Sequence, residues 1–340
     1  MLKTELVLTD FFDPEAIRIQ PYDIYRVSFH KFRAYYRWIN DEPVLYSSLT
    51  TAIHHSMPMA EGLLDYYLKN GKNEADRLTK IAANYGTLMH STIGKYCRNQ
   101  EFNFNTEHCQ ALINEYCGEI DFWEPECKEW ARRLQEDMLA WIQFENDYNL
   151  KPIAIELVLC SDKYGYATPI DVVAYADIPT KGFFGEVYKT GKNAGQPKIT
   201  EKTERTLILI NMKSGRKGIY DTHRVQMEFE GRLFEENYPD MGKPRIYNWA
   251  PNEWKSDTPT YKLVDQTGKT SDNEFEGVRL IAGARFTEKL YEKEYTYIYG
   301  EHTKGNATSK NITKVDIIEH LKRQRNRLIL PSNDDKDQDI

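Results

Sequence analysis

Apolar residues recur along this chain at two periods, and the changes of period mark out its elements. From Ser47 the spacing is helical, with Ala60, Leu63, Leu64 and Tyr67 on one face before Asn70-Gly71, a pair suited to a C-cap. In Tyr85-Gly-Thr-Leu-Met-His90, Thr87 reads as an N-cap after Gly86 and opens a helix whose inward stripe runs through His90, Ile93 and Cys97. Glu129 to Tyr148 predicts a further helix, with Leu134, Met138, Trp141 and Ile142 in one stripe. The period then shortens. Ile153 to Cys160 reads as a strand, Lys163-Tyr-Gly-Tyr as a turn, and Thr168 to Ala176 as the returning strand of a hairpin. Pro179 to Arg205 is rich in Gly, Lys and Thr and reads as an inserted loop or protruding hairpin. Leu207 to Ile210 is an apolar run, broken by Ser214-Gly215 and Lys217-Gly218 before an amphipathic helix opens at Asp221. Beyond Tyr238-Pro239, the stretches Arg245 to Trp249, Val278 to Phe286 and Tyr295 to Tyr299 read as strands, and Val315 to Leu328 as a basic helix. Residues 1 to about 50, with Phe32, Tyr35, Tyr36 and Trp38, suggest a short helix or an irregular packing arm.

These elements predict an α/β fold, a central mixed β-sheet flanked by helices. The expected organisation is an N-terminal helical segment (1–80), a core (81–250) with an inserted loop (179–205), C-terminal strands and a basic helix completing the domain (251–330), and a disordered acidic tail (331–340). With 340 residues and 40% hydrophobic content, the chain can bury a substantial core. A net charge of -7 means that any contact with nucleic acid must be local. The five cysteines show no CxxC or Cys/His metal spacing and are expected to be reduced, buried thiols. No run of eighteen apolar residues occurs, and acids interrupt the first fifteen positions, so a soluble cytoplasmic protein without membrane contact is expected.

The candidate chemistry lies on the predicted strands. Asp171, flanked by Ile170 and Val172, is costly to bury without a cation or donors, and Glu156 sits in an equally apolar setting. Each is a candidate metal ligand or one half of a buried ion pair. Alternation along a strand puts Asn211 and Lys213 on the same side, with Gln226 one turn into the following helix. His90 is a core histidine or a ligand, depending on its company. Phosphodiester hydrolysis needs an oriented water, a divalent cation and a cation such as lysine to position the water, and this set could supply all three. Gly268-Lys269-Thr270 ends like a phosphate-binding loop, but Leu263 occupies the first glycine position and no apolar strand is expected to lead in. Tyr188-Lys189-Thr-Gly-Lys192 offers a rival lysine turn, set aside because no apolar run precedes it.

In order along the chain, Gly86-Thr-Leu-Met-His90, Glu156, Pro169-Ile-Asp171, Asn211-Met-Lys213-Ser-Gly215 and His223-Arg-Val-Gln226 resemble the motif series of the PD-(D/E)XK nucleases. The resemblance is to their RecB-like branch, which includes the CRISPR adaptation nucleases, and it spans residues 47 to about 250. It implies a restriction-endonuclease-like core and a DNA nuclease dependent on Mg2+ or Mn2+, expected to be an exonuclease of DNA recombination, repair or phage DNA processing in a bacterial or phage-host cytoplasm. Carried over, His90, Asp171 and position 211 hold the metal, while Asp171, Asn211, Lys213 and Gln226 form the catalytic set. Glu156, Tyr220 and His223 are accessory. Arg216, Lys217, Lys189 and Lys192 are expected to contact DNA, and a protein partner or homo-oligomer is allowed. Two departures stand out. Asn211 replaces the family's acid, and Glu230 with Phe229 stands where an aromatic is usual, four residues after the glutamine. Asn211 leaves three readings open: an engineered Asp-to-Asn change that traps an inactive form, which is preferred, a natural loss of activity, or a misplaced motif. The alternative function is a catalytically silent protein that binds DNA or a partner on a nuclease fold. The cysteines lack the arrangement of the iron–sulfur members, so no cluster is expected.

Overall fold

The computed structural model describes residues 3–13, 15–20, 22–29, 32–59, 61–99, 101–116, 129–215, 219–252, 258–285 and 314–329. In chain order the strands are β1 (Lys3–Leu6), β2 (Asp10–Phe11), β3 (Tyr25–Phe29), β4 (Phe32–Ile39), β5 (Glu42–Ser48), β6 (Lys151–Ser161), β7 (Tyr166–Val187), β8 (Pro197–Met212), β9 (Arg245–Pro251) and β10 (Tyr261–Asp265). The helices are α1 (Leu49–Ser56), α2 (Glu61–Asn70), α3 (Lys72–Asn99), α4 (Thr106–Tyr116), α5 (Trp130–Tyr148), α6 (Asp221–Asn237), α7 (Asp272–Arg285) and α8 (Lys314–Ile329). The fold is α/β, with a central mixed sheet flanked by helices, as the patterning predicts.

β7 organises the sheet. It pairs antiparallel with β6 along one edge, and its other edge is shared by two neighbours. Tyr166 and Ala167 pair in parallel with Ser47 and Ser48 of β5, whereas β8 pairs antiparallel with β7 only from Val172 onward. Between Ala167 and Val172 that edge passes from one strand to the other, and Asp171 lies in the gap. β8, α6 and β9 form a parallel crossover unit, with Ile210 opposite Tyr247 and Met212 opposite Trp249.

Both faces of the sheet are covered. Ile208, Ile210, Met212, Val172 and Trp249 pack with α3 and α5 through Tyr85, Leu88, Trp141 and Phe144. Leu207, Leu209, Ile170 and Val173 pack with α1, α6 and α7 through Ile53, Val225, Phe229 and Phe275. Each such fully buried side chain contributes about 1.5–3 kcal/mol relative to exposure, so the central strands are held rigidly from both sides.

Several expectations are corrected here. The N-terminal segment is not helical through residue 80: residues 3 to 48 supply β1 to β5, and only α1 and α2 follow. Ala34 and Tyr36 of β4 face α8 residues Ile317 and Leu321, while Tyr35 packs with Tyr46 and Val158 on the other face. A strand buried on both faces loses the apolar/polar alternation that reveals a strand. Thr87 is not an N-cap. α3 runs unbroken for 28 residues from Lys72, directly after Gly71, whose φ of 73° ends α2 in the left-handed region, and Thr87 Oγ1 bonds the Ala83 carbonyl at 3.2 Å. Val278 is not in a strand but in α7, where Phe275 and Val278 face the core while Leu280 and Ile281 are exposed. The helix start was signalled by Ser271, whose Oγ accepts from Glu274 N at 3.2 Å. Of the two readings of 179–205, inserted loop or protruding hairpin, the second holds: the stretch forms the two arms of the long β7–β8 hairpin, paired out to Val187 and Pro197. A strand, β10, does lead toward Gly268-Lys269-Thr270, although Leu263 lies within it. The basic helix is present as α8, where Lys322 pairs with Glu42, and Arg325 pairs with Asp41 and stacks on Trp38. Phe286, residues 295–299 and the tail lie outside the described residues. No described helix is long and apolar enough to cross a membrane. Cys97, Cys109 and Cys160 are buried free thiols; Cys117 and Cys127 lie outside the described residues.

Candidate metal centre

The gap in the β7 edge collects three ligand-type side chains from three elements. His90 on α3 places Nδ1 3.7 Å from Asp171 Oδ2 and 4.0 Å from Glu156 Oε1, and one ligand atom from each residue falls within 4.8 Å of the others. The other ring nitrogen, Nε2, lies 3.0 Å from the Met212 carbonyl oxygen. A carbonyl can only accept, so Nε2 carries the proton, and in the neutral ring Nδ1 turns its lone pair toward the two carboxylates. Three electron-rich atoms thus face one small space, at separations too long for hydrogen bonds.

Glu156 reaches this space by a backbone distortion. The pairs Ile155–Val172 and Leu157–Ile170 put Glu156 directly opposite Asp171 in register, and its φ is 51°, in the left-handed region. Such a conformation costs about 1–3 kcal/mol for a non-glycine residue. Thr9 supports it, donating its hydroxyl to the Glu156 carbonyl at 3.2 Å and accepting from Val158 N at 3.3 Å. Burial, and then the charge of Asp171, push the Glu156 carboxyl up to about 8, against the pull of Arg33. Because 42% of its side-chain surface remains open, solvent moderates that rise. Asp171 is tied down, with Oδ2 accepting from Met212 N at 2.7 Å.

On the α6 side of the gap a second network links the remaining candidates. Asn211, opposite Asp171 in the β7–β8 register, is buried and donates Nδ2 to Glu230 Oε1 at 3.0 Å and Oε2 at 3.3 Å. Gln226 donates Nε2 to the same Glu230 oxygen at 2.7 Å, and its own Oε1 accepts from Lys213 Nζ at 3.3 Å. Glu230 is fully buried, and burial followed by the charge of Asp171 pushes its carboxyl up to about 8. Burial holds the Lys213 ammonium below the usual lysine range, opposed by Asp171 and Glu230. Asn211 Oδ1 is buried without a hydrogen-bond partner.

The turn after Lys213 is clamped from α3 and α5. A Cβ on Gly86 would lie 3.1 Å from Ser214 Oγ, so the missing side chain lets α3 approach the turn one helical turn before His90. Arg133, stacked on Tyr85 with its guanidinium 3.8 Å from the ring centroid, donates to the Ser214 carbonyl at 2.6 Å. His223 is a cap: its Nδ1 accepts from Tyr220 N at 3.2 Å, and burial beside Lys213 pushes its pKa down to about 3, so it stays neutral. Tyr220 is half exposed at the mouth of the site.

The structure therefore brings together His90, Glu156, Asp171, Asn211, Lys213 and Gln226, with Glu156 as prominent as Asp171 rather than an accessory to it. Lys189 and Lys192 lie exposed at the tip of the β7–β8 hairpin, and Arg216 and Lys217 lie outside the described residues. Sequence reasoning missed Glu230 as a member of the site, treating it only as an unexpected residue type. The available signal was its i+4 spacing from Gln226. Thr9 and Arg33 carried no local signal at all. No family model matches this chain, and no curated protein matches it.

Proposed function

We propose that this chain is a divalent-cation-dependent deoxyribonuclease of the PD-(D/E)XK type. The observation that carries the reading is the convergence of His90 Nδ1, Glu156 and Asp171 on one space, beside a lysine whose pKa is depressed. The donor set fits a hard divalent cation such as Mg2+ or Mn2+: two carboxylates, one imidazole and the unpartnered Asn211 Oδ1. Once bound, such a cation polarises the phosphoryl oxygen and stabilises the leaving oxygen.

The remaining work falls to the chain. Met212 O fixes the His90 tautomer, and Met212 N holds the Asp171 carboxylate, so one residue of β8 orients two ligands. Lys213, held by Gln226, positions the attacking water and can exchange a proton nearer neutrality than an ordinary lysine. Glu230 holds Gln226 and Asn211 together. DNA as substrate follows from the resemblance alone.

The second reading, a nuclease-like protein that binds without cutting, draws on the neutral side chain at Asn211. A direct test compares this chain with its Asn211→Asp variant for cleavage of linear single- and double-stranded DNA in Mg2+ or Mn2+, alongside Mn2+ binding by calorimetry. Cutting by either protein, with Mn2+ bound, supports the nuclease reading. DNA binding without cutting by either transfers support to the silent reading. Absence of Mn2+ binding in both would overturn the metal centre and the nuclease reading with it.

A further inference from the structure

A cavity of about 650 Å³ opens beside the site, between α1, α2 and the start of α6. It is continuous with the candidate centre through Gln226, the residue that holds Lys213. Its wall is apolar and aromatic: Met57, Met59, Leu63, Tyr66 and Tyr220 line it. Three of these are open to an unusual degree for their type, Met59 at 54%, Leu63 at 39% and Tyr220 at 50%. α2 contributes no buried residue at all, so its apolar side faces this space rather than a core. Tyr220 also borders a second, more open depression of about 350 Å³, whose charged lining is Lys262, Lys269 and Arg224 with one acid, Asp221, itself 3.6 Å from Arg224. Arg224 is already committed to Glu274 at 2.5 Å, which leaves Lys262 and Lys269, both exposed, as the cations that face solvent there.

We propose that the Tyr220 ridge is the seat of a single-stranded polynucleotide, one or two bases entering the apolar cavity while the adjoining phosphates lie across the ridge on Lys262 and Lys269. This rests on the nuclease reading. The chemistry of the two depressions is the argument for this occupant. An apolar, aromatic slot accepts the π-face of any base, and a cationic groove immediately beside it accepts a phosphodiester. A peptide helix would have use for the apolar slot but none for the lysines. Bases unstacked into the cavity would fix the position of the next phosphate relative to Lys213.

The test uses the full chain without divalent cations, so that nothing is cleaved, and reads fluorescence anisotropy with a labelled thymidine dodecamer and with the same dodecamer made abasic throughout. Stacking on an aromatic side chain predicts that the intact chain binds the base-bearing strand about tenfold more tightly than the abasic one. Tyr220→Ala and, independently, the uncharged Leu63→Gln should each abolish that preference while leaving abasic binding unchanged; both positions are exposed enough to tolerate substitution. Lys262→Ala with Lys269→Ala should weaken both strands and flatten the salt dependence. Equal binding of the two strands by the intact chain would overturn the base cavity and leave the nuclease reading standing. Failure to bind either strand would overturn both, and in that case binding of an apolar peptide that Leu63→Gln abolishes would reassign the cavity to a protein partner.

Discussion

Glu230 offers the sharpest test of the site, because its cost can be worked out. A carboxyl whose pKa rises from 4.5 to about 8 on folding binds a proton more tightly in the folded state than in the unfolded one. By linkage, stability falls as pH rises through that interval, by about 1.4 kcal/mol for each pH unit and by up to about 5 kcal/mol once both states are ionised. Below pH 4.5 the carboxyl is protonated in both states and the penalty vanishes. Replacing Glu230 by Gln removes the titrating group and keeps the side chain's length. One donor then faces Asn211 Nδ2, which costs about 1–3 kcal/mol at every pH. The two effects separate by their pH dependence. Urea unfolding in EDTA from pH 4.5 to 8.5 should show the two proteins diverging, with Glu230→Gln gaining on the parent at each step upward. The same variant should bind Mn2+ more weakly, since Asn211 loses the carboxylate that orients it. Parallel stability curves across the whole range would refute the claim that Glu230 is held neutral by burial, and with it the network that fixes Asn211.

Three further outcomes follow from the geometry. Lys213→Met should reduce cleavage by about 10²–10⁴-fold, the usual worth of a proton-transferring group, while Mn2+ affinity is retained; a parallel loss of metal binding would make the lysine structural. Thr9→Val removes the hydroxyl that serves Glu156 O and Val158 N, and should cost about 1–3 kcal/mol in urea unfolding together with Mn2+ affinity, whereas an unchanged protein would show that the Glu156 distortion is held by something else. Glu274 is held below its ordinary 4.5 first by the hydrogen bond from Arg224, so the stability that this pair contributes is present above 4.5 and lost as pH falls through the depressed value; Arg224→Ala should therefore be the less stable protein at neutral pH and converge on the parent in acid unfolding experiments, and a constant difference would contradict the pairing.

How far the sequence was legible depended on how many faces of each element are buried. α5 and α6 announced themselves by a helical period, and β6, β7 and β8, buried on both faces, by nearly unbroken apolar runs bounded by turn residues. The β3–β5 meander gave neither signal: Tyr35 and Tyr36 are buried on opposite faces, which removes the alternation, and Arg33 and Arg37 break the apolar run of β4. α7 was misread because Val278 and Leu280 alternate around Arg279 and Ile281 follows, a strand-like pattern, although of these only Val278 reaches the core. At the site, alternation placed Asn211 and Lys213 on one side of the strand, and both meet α6 residues there, Glu230 and Gln226. Glu230 could not be placed from the chain alone, since an acid on a helix is ordinarily solvated, and its burial depends on β8 lying across it. Thr9 reaches Glu156 across 147 residues, a contact that no local pattern encodes.

The cost of this corner bears on what Asn211 means. A left-handed Glu156, a buried Glu230, a depressed Lys213 and an unpartnered Asn211 oxygen all lie at the end of β7 and β8, and apolar residues of similar size would satisfy the fold better. Strain and unpaired polarity gathered in one place favour the proposed site over a purely structural role for these residues. Within it, the carboxylate absent from position 211 has a counterpart 3.0 Å away in Glu230, across the Asn211 amide. An aspartate at 211 would set two carboxylates at that separation, a repulsion of about 5 kcal/mol at an effective dielectric of 20. Asn211 is therefore matched to Glu230, whose carboxyl stands on α6 where a more familiar arrangement has one on the strand. On this reasoning Asn211→Asp gains metal affinity only to the extent that the cation, or a proton shared with Glu230, offsets that repulsion, so its advantage should be greatest at acid pH and shrink toward pH 8, where the Glu230 proton is lost.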